Sequence, residues 1–250
     1  MRVLALYSIK GGVGKTAAAV NLAYEAARAG HRTLLWDMDP QAAATFYLRV
    51  EPRVKGGGKG IVNGKRALDD LVRATDFRGL DLLPGDFSYR DLDLRLDRDK
   101  KGVKRLRKRI RPLDADYDLL ILDCPPSISL TSEAVFRAAD ALVVPVIPTT
   151  LSLRTLDQLD DFRRDEGLDR LALLPFLSMV DRRRGMHRQI AAELPDERCE
   201  CLQTVIPNAS DVEKMGHHRA PIRTFNRRSP AATAYGKLWR ELAERVVDGE

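Results

Sequence analysis

Cysteine is scarce in this chain, with three in 250 residues: Cys124, Cys199 and Cys201. That is too few for a disulfide framework and points to a reducing, cytoplasmic setting. Cys199-x-Cys201 has no second pair to complete a metal site, and His217-His218 stands alone as a polar pair. No apolar run approaches the ~18 residues of a membrane span. No leader precedes the first apolar segment either, and the expectation is that neither a targeting peptide nor an added DNA-reading module lies ahead of it. Internal repeats and linker-like stretches are also missing, which predicts one domain across residues 1–250. Lys55-Gly56-Gly57-Gly58-Lys59-Gly60 lacks a Gly-Lys-Ser/Thr ending and a preceding strand, so it reads as a surface loop.

What is present begins near the start. Arg2–Ser8 is short and mostly apolar, a buried strand. Residues 17–29 are alanine-rich and stop at Gly30, a helix with a glycine C-cap. Between them lies Lys10-Gly11-Gly12-Val13-Gly14-Lys15-Thr16. Strand, glycine turn, Lys-Thr and helix make a phosphate cradle in which backbone amides face the anion. Lys15 reaches the terminal phosphates and the Thr16 hydroxyl is placed for Mg²⁺. The general pattern asks for glycine where this chain has Ile9, and a lysine, Lys10, opens the turn instead.

Further strands are predicted at Thr33–Asp37, Leu80–Leu83, Leu119–Asp123, Ala141–Ile147, Leu171–Ser178 and Cys201–Val205. Helices are predicted at Ala67–Ala74, Tyr89–Ile110, Leu130–Ala138, Leu151–Glu166, Met186–Glu193, Ser210–Met215 and Pro230–Val247. This alternation predicts a three-layer α/β/α fold with a mostly parallel twisted sheet. Two of the strands end in acids. Asp37-Met38-Asp39-Pro40-Gln41 puts two carboxylates on one side of a strand end, and the apolar Leu119–Leu122 delivers Asp123.

KGGVGKT is a deviant Walker A box, and with D-x-D-P-Q and Asp123-Cys124-Pro125-Pro126-Ser127 the chain resembles the ParA/MinD family of P-loop ATPases. The resemblance spans nearly the whole chain and is strongest over residues 1–46 and 117–156. It implies ATP and Mg²⁺ held by Lys10, Gly11, Gly12, Val13, Gly14, Lys15, Thr16 and Ala17, with Thr16, Asp37 and Asp123 on the metal side. It also implies that Asp39 positions the attacking water, that Asp123–Ser127 forms a switch loop, and that Pro207 and Asn208 lie beside the adenine. In the family the early lysine reaches the phosphates of a partner's ATP, so the implied unit is an ATP-dependent homodimer with slow hydrolysis stimulated by a ParB-like or cargo-linked protein. Cys124 reads as a small buried side chain.

The charge pattern separates relatives. Forty-two Lys and Arg against thirty-six Asp and Glu leave +6, yet Arg98–Arg111 alone carries nine cations and one acid, leaving −2 for the rest. A concentrated basic stripe fits a polyanion partner, and a solvated helix face anchored by Val103, Leu106 and Ile110 accounts for it equally. Further basic clusters are Arg182, Arg183, Arg184 and Arg188, and Arg219, Arg223, Arg227 and Arg228. They are the expected contacts to nonspecific double-stranded DNA, giving a nucleoid-associated protein. Membrane binding is disfavoured because the final helix carries a net negative charge. A nucleotide-switched regulator or scaffold that never touches DNA stays open as the alternative. A metal-cluster carrier would need paired cysteines that the chain lacks.

Overall fold

The structure, a computed structural model, describes residues 1–54, 56–57, 67–93 and 102–247, with residues 102–105 as backbone only. Seven strands form one sheet: β1 (Arg2–Leu6), β2 (Thr33–Asp37), β3 (Arg73–Ala74), β4 (Leu80–Leu83), β5 (Leu119–Asp123), β6 (Ala141–Val146) and β7 (Ala172–Leu177). Their order is β3-β4-β2-β5-β1-β6-β7. Among the described strands only β3 runs antiparallel, pairing Arg73 with Leu82. The described α-helices are α1 (Lys15–Ala29), α2 (Ala43–Tyr47), α3 (Gly102–Ile110), α4 (Leu130–Ala138), α5 (Thr150–Asp165), α6 (Gly185–Glu197), α7 (Ser210–His218), α8 (Ile222–Phe225) and α9 (Pro230–Leu242).

Two-residue alternation along the strands makes the layers. Leu4 and Leu6 of β1 and Leu119 and Ile121 of β5 face the apolar sides of α1 and α9. Val3, Ala5 and Leu120 point the other way, toward Val135 and Phe136 of α4 and Leu156 and Leu159 of α5. A parallel sheet covered on both faces buries every residue of β2, β5 and β6. Each apolar side chain so buried contributes roughly 1.5–3 kcal/mol. The expected three-layer α/β/α fold is therefore observed.

Three predicted elements differ. Ala67–Ala74 is not a helix: a single 3-10 turn, Asp69–Leu71, leads into β3. Pairing with the edge of β4 outweighs the local helical preference there. Of the helix expected over Tyr89–Ile110, the start lies in a 3-10 segment, Phe87–Asp91, and the end forms α3; residues 94–101 lie outside the described residues. Cys201–Val205 forms no strand. The amides of Gln203 and Thr204 donate to the Glu241 carboxylate at 2.5 and 3.0 Å, so no ladder can claim them.

Candidate nucleotide site

The turn after β1 is shaped by its glycines. Gly12 and Gly14 have φ of +73° and +89°, values that side-chain-bearing residues rarely adopt. A Cβ on Gly14 would also meet Ser178 Oγ at 3.2 Å. Ser178 in turn donates to the Val13 carbonyl at 2.9 Å, bracing the turn from behind. Helix α1 starts immediately at Lys15, so its unpaired amides open into the turn. Lys15 is buried and donates to the Lys10 carbonyl at 3.2 Å. Burial pulls its ammonium below the usual lysine range, and Asp123 pulls in the opposite direction.

The acidic side is built by the ends of β2 and β5, where Asp37 and Asp123 stand in register on adjacent strands. Both are fully buried. Asp37 is satisfied: its Oδ2 accepts from Thr45 N at 2.8 Å and Thr45 Oγ1 at 2.7 Å, and its Oδ1 accepts from Asp39 N at 3.2 Å. Even so, burial pushes its carboxyl up to about 6. Thr45 Oγ1 also accepts from Gly85 N at 2.8 Å. A Cβ on Gly85 would come within 3.0 Å of Asp37 Cγ, so the glycine is required for this close approach.

Asp123 is different. Neither of its oxygens has a hydrogen-bond partner. Burial, then Asp37, hold its carboxyl well above the usual range, while the Thr16 hydroxyl and Lys15 pull the other way. A buried carboxylate without partners costs free energy unless something cationic meets it. Among the described residues no three His, Cys, Asp or Glu side chains form a metal cage. Asp123 with the neighbouring Thr16 hydroxyl therefore fits a divalent ion that brings water and phosphate oxygens as its other ligands. Next to it, Cys124 is buried and its thiol is pushed up by burial, consistent with a packing role.

Gly11, Gly12, Gly14, Lys15, Thr16 and Ala17 form one wall of an open cleft of about 380 Å³. Asp39, Ala43, Tyr47 and Pro126 add a second side, and Ile206, Pro207, Asn208, Val212 and Glu213 close the far end. Of the residues expected around phosphate and base, Gly11, Gly12, Gly14, Lys15, Thr16, Ala17, Pro207 and Asn208 thus line one space, whereas Val13 lines the neighbouring crevice and Asp37 and Asp123 lie buried outside it. Lys10 does not line it; it faces a neighbouring crevice with Ile9, Val144, Ser152 and Thr155. Thr45, Gly85, Ser178 and Tyr47 were not singled out in the sequence, because nothing local marks a residue whose role is to brace another.

The basic clusters fall into two kinds. Arg182, Arg183, Arg184 and Arg188 are exposed around the start of α6, with Arg183 on Asp181 at 2.9 Å. Arg227 and Arg228 are exposed as well. Arg223 departs from its expected role, since it turns inward to pair with the buried Glu25 and donates to the Ala232 carbonyl at 2.6 Å. Arg219 is also engaged: its Nε donates to the Phe46 carbonyl at 3.0 Å and its guanidinium covers the Phe46 ring. Arg49 answers by donating to the carbonyls of Arg219 and His218 at 3.0 and 3.2 Å. Of the stripe at 98–111, Arg98, Lys100 and Lys101 lie outside the described residues, and nothing is described of the Lys104 and Arg105 side chains.

A family model described as "AAA domain" matches residues 1–164. The chromosome-partitioning ATPase Soj of Thermus thermophilus is 36% identical, covering 99% of this chain and 98% of that one. The chromosome partitioning protein ParA of Myxococcus xanthus is 30% identical, covering 98% and 88%. The solved cobyrinic acid a,c-diamide synthase of Mycobacterium smegmatis, with bound ATP analog and magnesium, superposes with a TM-score of 0.78. It is 26% identical and the match covers 96% of this chain and 93% of that one.

Proposed function

This chain belongs to the AAA-domain family of P-loop ATPases that includes the ParA and Soj partition proteins, and on that premise we propose a nucleotide-timed dimer that holds nonspecific duplex DNA. The observation that carries the dimer reading is the position of the two lysines. Lys15 lines the cleft of its own chain, whereas Lys10 lines the adjacent crevice and not the cleft. A cation at the rim of one cleft is available to the phosphates held by a second copy.

ATP is the substrate, with its phosphates against the Gly11–Gly14 amides and Lys15. Thr16 and Asp123 would hold magnesium on the protein side, and the ion would supply charge neutralisation on the phosphate oxygens. Asp37 braces Asp39 through its amide and keeps the β2 end in place beside Asp123. Asp39 sits at the cleft wall, where its carboxylate orients the attacking water. Gly11 and Gly12 leave open space for a second backbone, since a Cβ on either would meet nothing within 4 Å. Pro207 and Asn208 pack on the base. The dimer binds DNA through phosphate contacts of Arg182, Arg183, Arg184, Arg188, Arg227 and Arg228, and a ParB-like or cargo-linked activator speeds hydrolysis and releases it. The apolar stripe of α9 (Tyr235, Leu238, Trp239 and Leu242) is buried in the core, which leaves it nothing to offer a bilayer.

Lys10→Ala is expected to retain ATP binding by equilibrium dialysis and to lose ATP-dependent dimerisation by light scattering; joint loss of both counts against the reading in trans. Asp39→Ala is expected to persist as an ATP-bound dimer on size-exclusion chromatography, and a monomeric variant refutes its role. Anisotropy with labelled duplex is expected to show tight binding with ATP and release with ADP. Equal affinity in both states refutes the DNA switch and leaves the regulator without DNA as the reading.

A further inference from the structure

The last turn of α3 takes no part in the nucleotide cleft. The chain passes from β4 through α3 into β5, so α3 runs back and ends where the strands begin. Arg107 and Lys108 there, with Arg111 opening the 3-10 turn that follows, line a groove of about 570 Å³ with Met1, Val3, Asp114 and Asp140. β1 spans five residues from this groove toward the phosphate turn, a separation of about 16 Å. The two sites occupy opposite ends of the sheet.

The groove's acids are few and one is already taken. Asp140 accepts from Val3 N at 2.8 Å and pairs with Arg107 at 3.6 Å. Lys108 and Arg111 are exposed and, among the described residues, have no carboxylate partner. The helix itself, GVKRLRKRI, contains five cations and no acid. Its apolar side is spent inward: Ile110 and, in the turn that follows, Leu113 are buried, and Leu106 packs against the same core. An anionic membrane surface needs an apolar face to insert, and the described side chains of this segment offer none. A partner that asks only for positive charge along a line is a nucleic-acid backbone.

We propose that the exposed end of α3 is a second contact for the phosphates of duplex DNA, at the opposite end of the sheet from the nucleotide cleft and usable without nucleotide. A further consequence rests on the dimer reading above. Two copies closed across their phosphate turns carry their α3 ends outward, at opposite poles, so one dimer can hold two duplex segments.

The test uses the full chain without nucleotide and a fluorescent random-sequence duplex, read by anisotropy across a salt series. Wild type is expected to bind weakly and in a salt-dependent way. Lys108→Glu/Arg111→Glu is expected to weaken that binding on the order of tenfold and to reduce the salt slope by about 2. Thermal melting and DNA-free ATP hydrolysis are expected to match wild type, since both residues are exposed and remote from the cleft. Unchanged affinity in the variant overturns the proposal, and so does a wild type that binds no duplex without nucleotide. Capture on phosphatidylserine vesicles in place of duplex assigns the groove to a lipid surface and overturns it too. The ATP-against-ADP comparison on wild type reads the dimer switch separately, so either idea can fail alone.

Discussion

Asp37 and Asp123 are neighbours across two strands, yet Thr45 serves only the first. Replacing Thr45 with Val keeps the shape and removes the hydroxyl between Asp37 Oδ2 and Gly85 N. The expected cost is about 1–3 kcal/mol of stability, read by urea unfolding, with weaker nucleotide binding because the β2 end loosens. The two aspartates were legible in the sequence, each ending an apolar strand. Thr45 was not, because its meaning comes from a carboxylate eight residues back and an amide forty residues on. A simpler carboxylate sits at the other end of the sheet. Hydrogen bonds from the Arg32 side chain hold Asp118 down from 3.8 to about 2. A depressed carboxylate stabilises the fold above its unfolded value and loses that contribution as pH falls through its folded one. Between pH 4 and pH 2, Asp118→Asn is therefore expected to lose less melting temperature than wild type.

Elements are legible in the sequence where their own period decides them and obscure where a partner decides. β2, β4 and β5 were visible as apolar runs with the bounds observed. β3 is not legible as a strand because Ala67–Ala74 carries no strand pattern strong enough without the edge of β4 beside it. Cys201–Val205 carries a strand-like pattern, and Glu241 of α9 removed it by capturing two amides. Glu241→Ala is expected to strand those amides and cost about 1–3 kcal/mol, with faster hydrogen exchange confined to 203–204 as the distinguishing sign. Gly85→Ala belongs to the same scale. Its new methyl would stand 2.9 Å from Ala42 Cβ, forcing the segment before α2 to shift. The expected loss is about 1–3 kcal/mol, measured by thermal melting.

Across the whole molecule, α1 fastens the late segments to the phosphate turn. Asn21 Oδ1 accepts from Ile222 N at 2.9 Å, while its Nδ2 donates to the Ala17 carbonyl at 2.7 Å. Glu25 pairs with both Arg28 and Arg223. Sequence alone could count the late arginines but could not sort them, because an arginine on a buried carboxylate looks the same in a string as one in solvent. The sorting predicts opposite phenotypes. Arg223→Ala is expected to lower stability by about 1–3 kcal/mol. Arg227→Ala/Arg228→Ala is expected to melt as wild type and to weaken DNA binding in the presence of ATP.

The clasp of Arg49, Phe46 and Arg219 joins backbone positions some 170 residues apart in the chain. Each arginine donates to a carbonyl in the other's segment, and both have left-handed backbones, with φ of 61° and 47°. Neither segment can open without releasing the other. The two stretches therefore form one cooperative opening unit: their amides should exchange with deuterium at a common rate, and Arg49→Ala should split that rate into two.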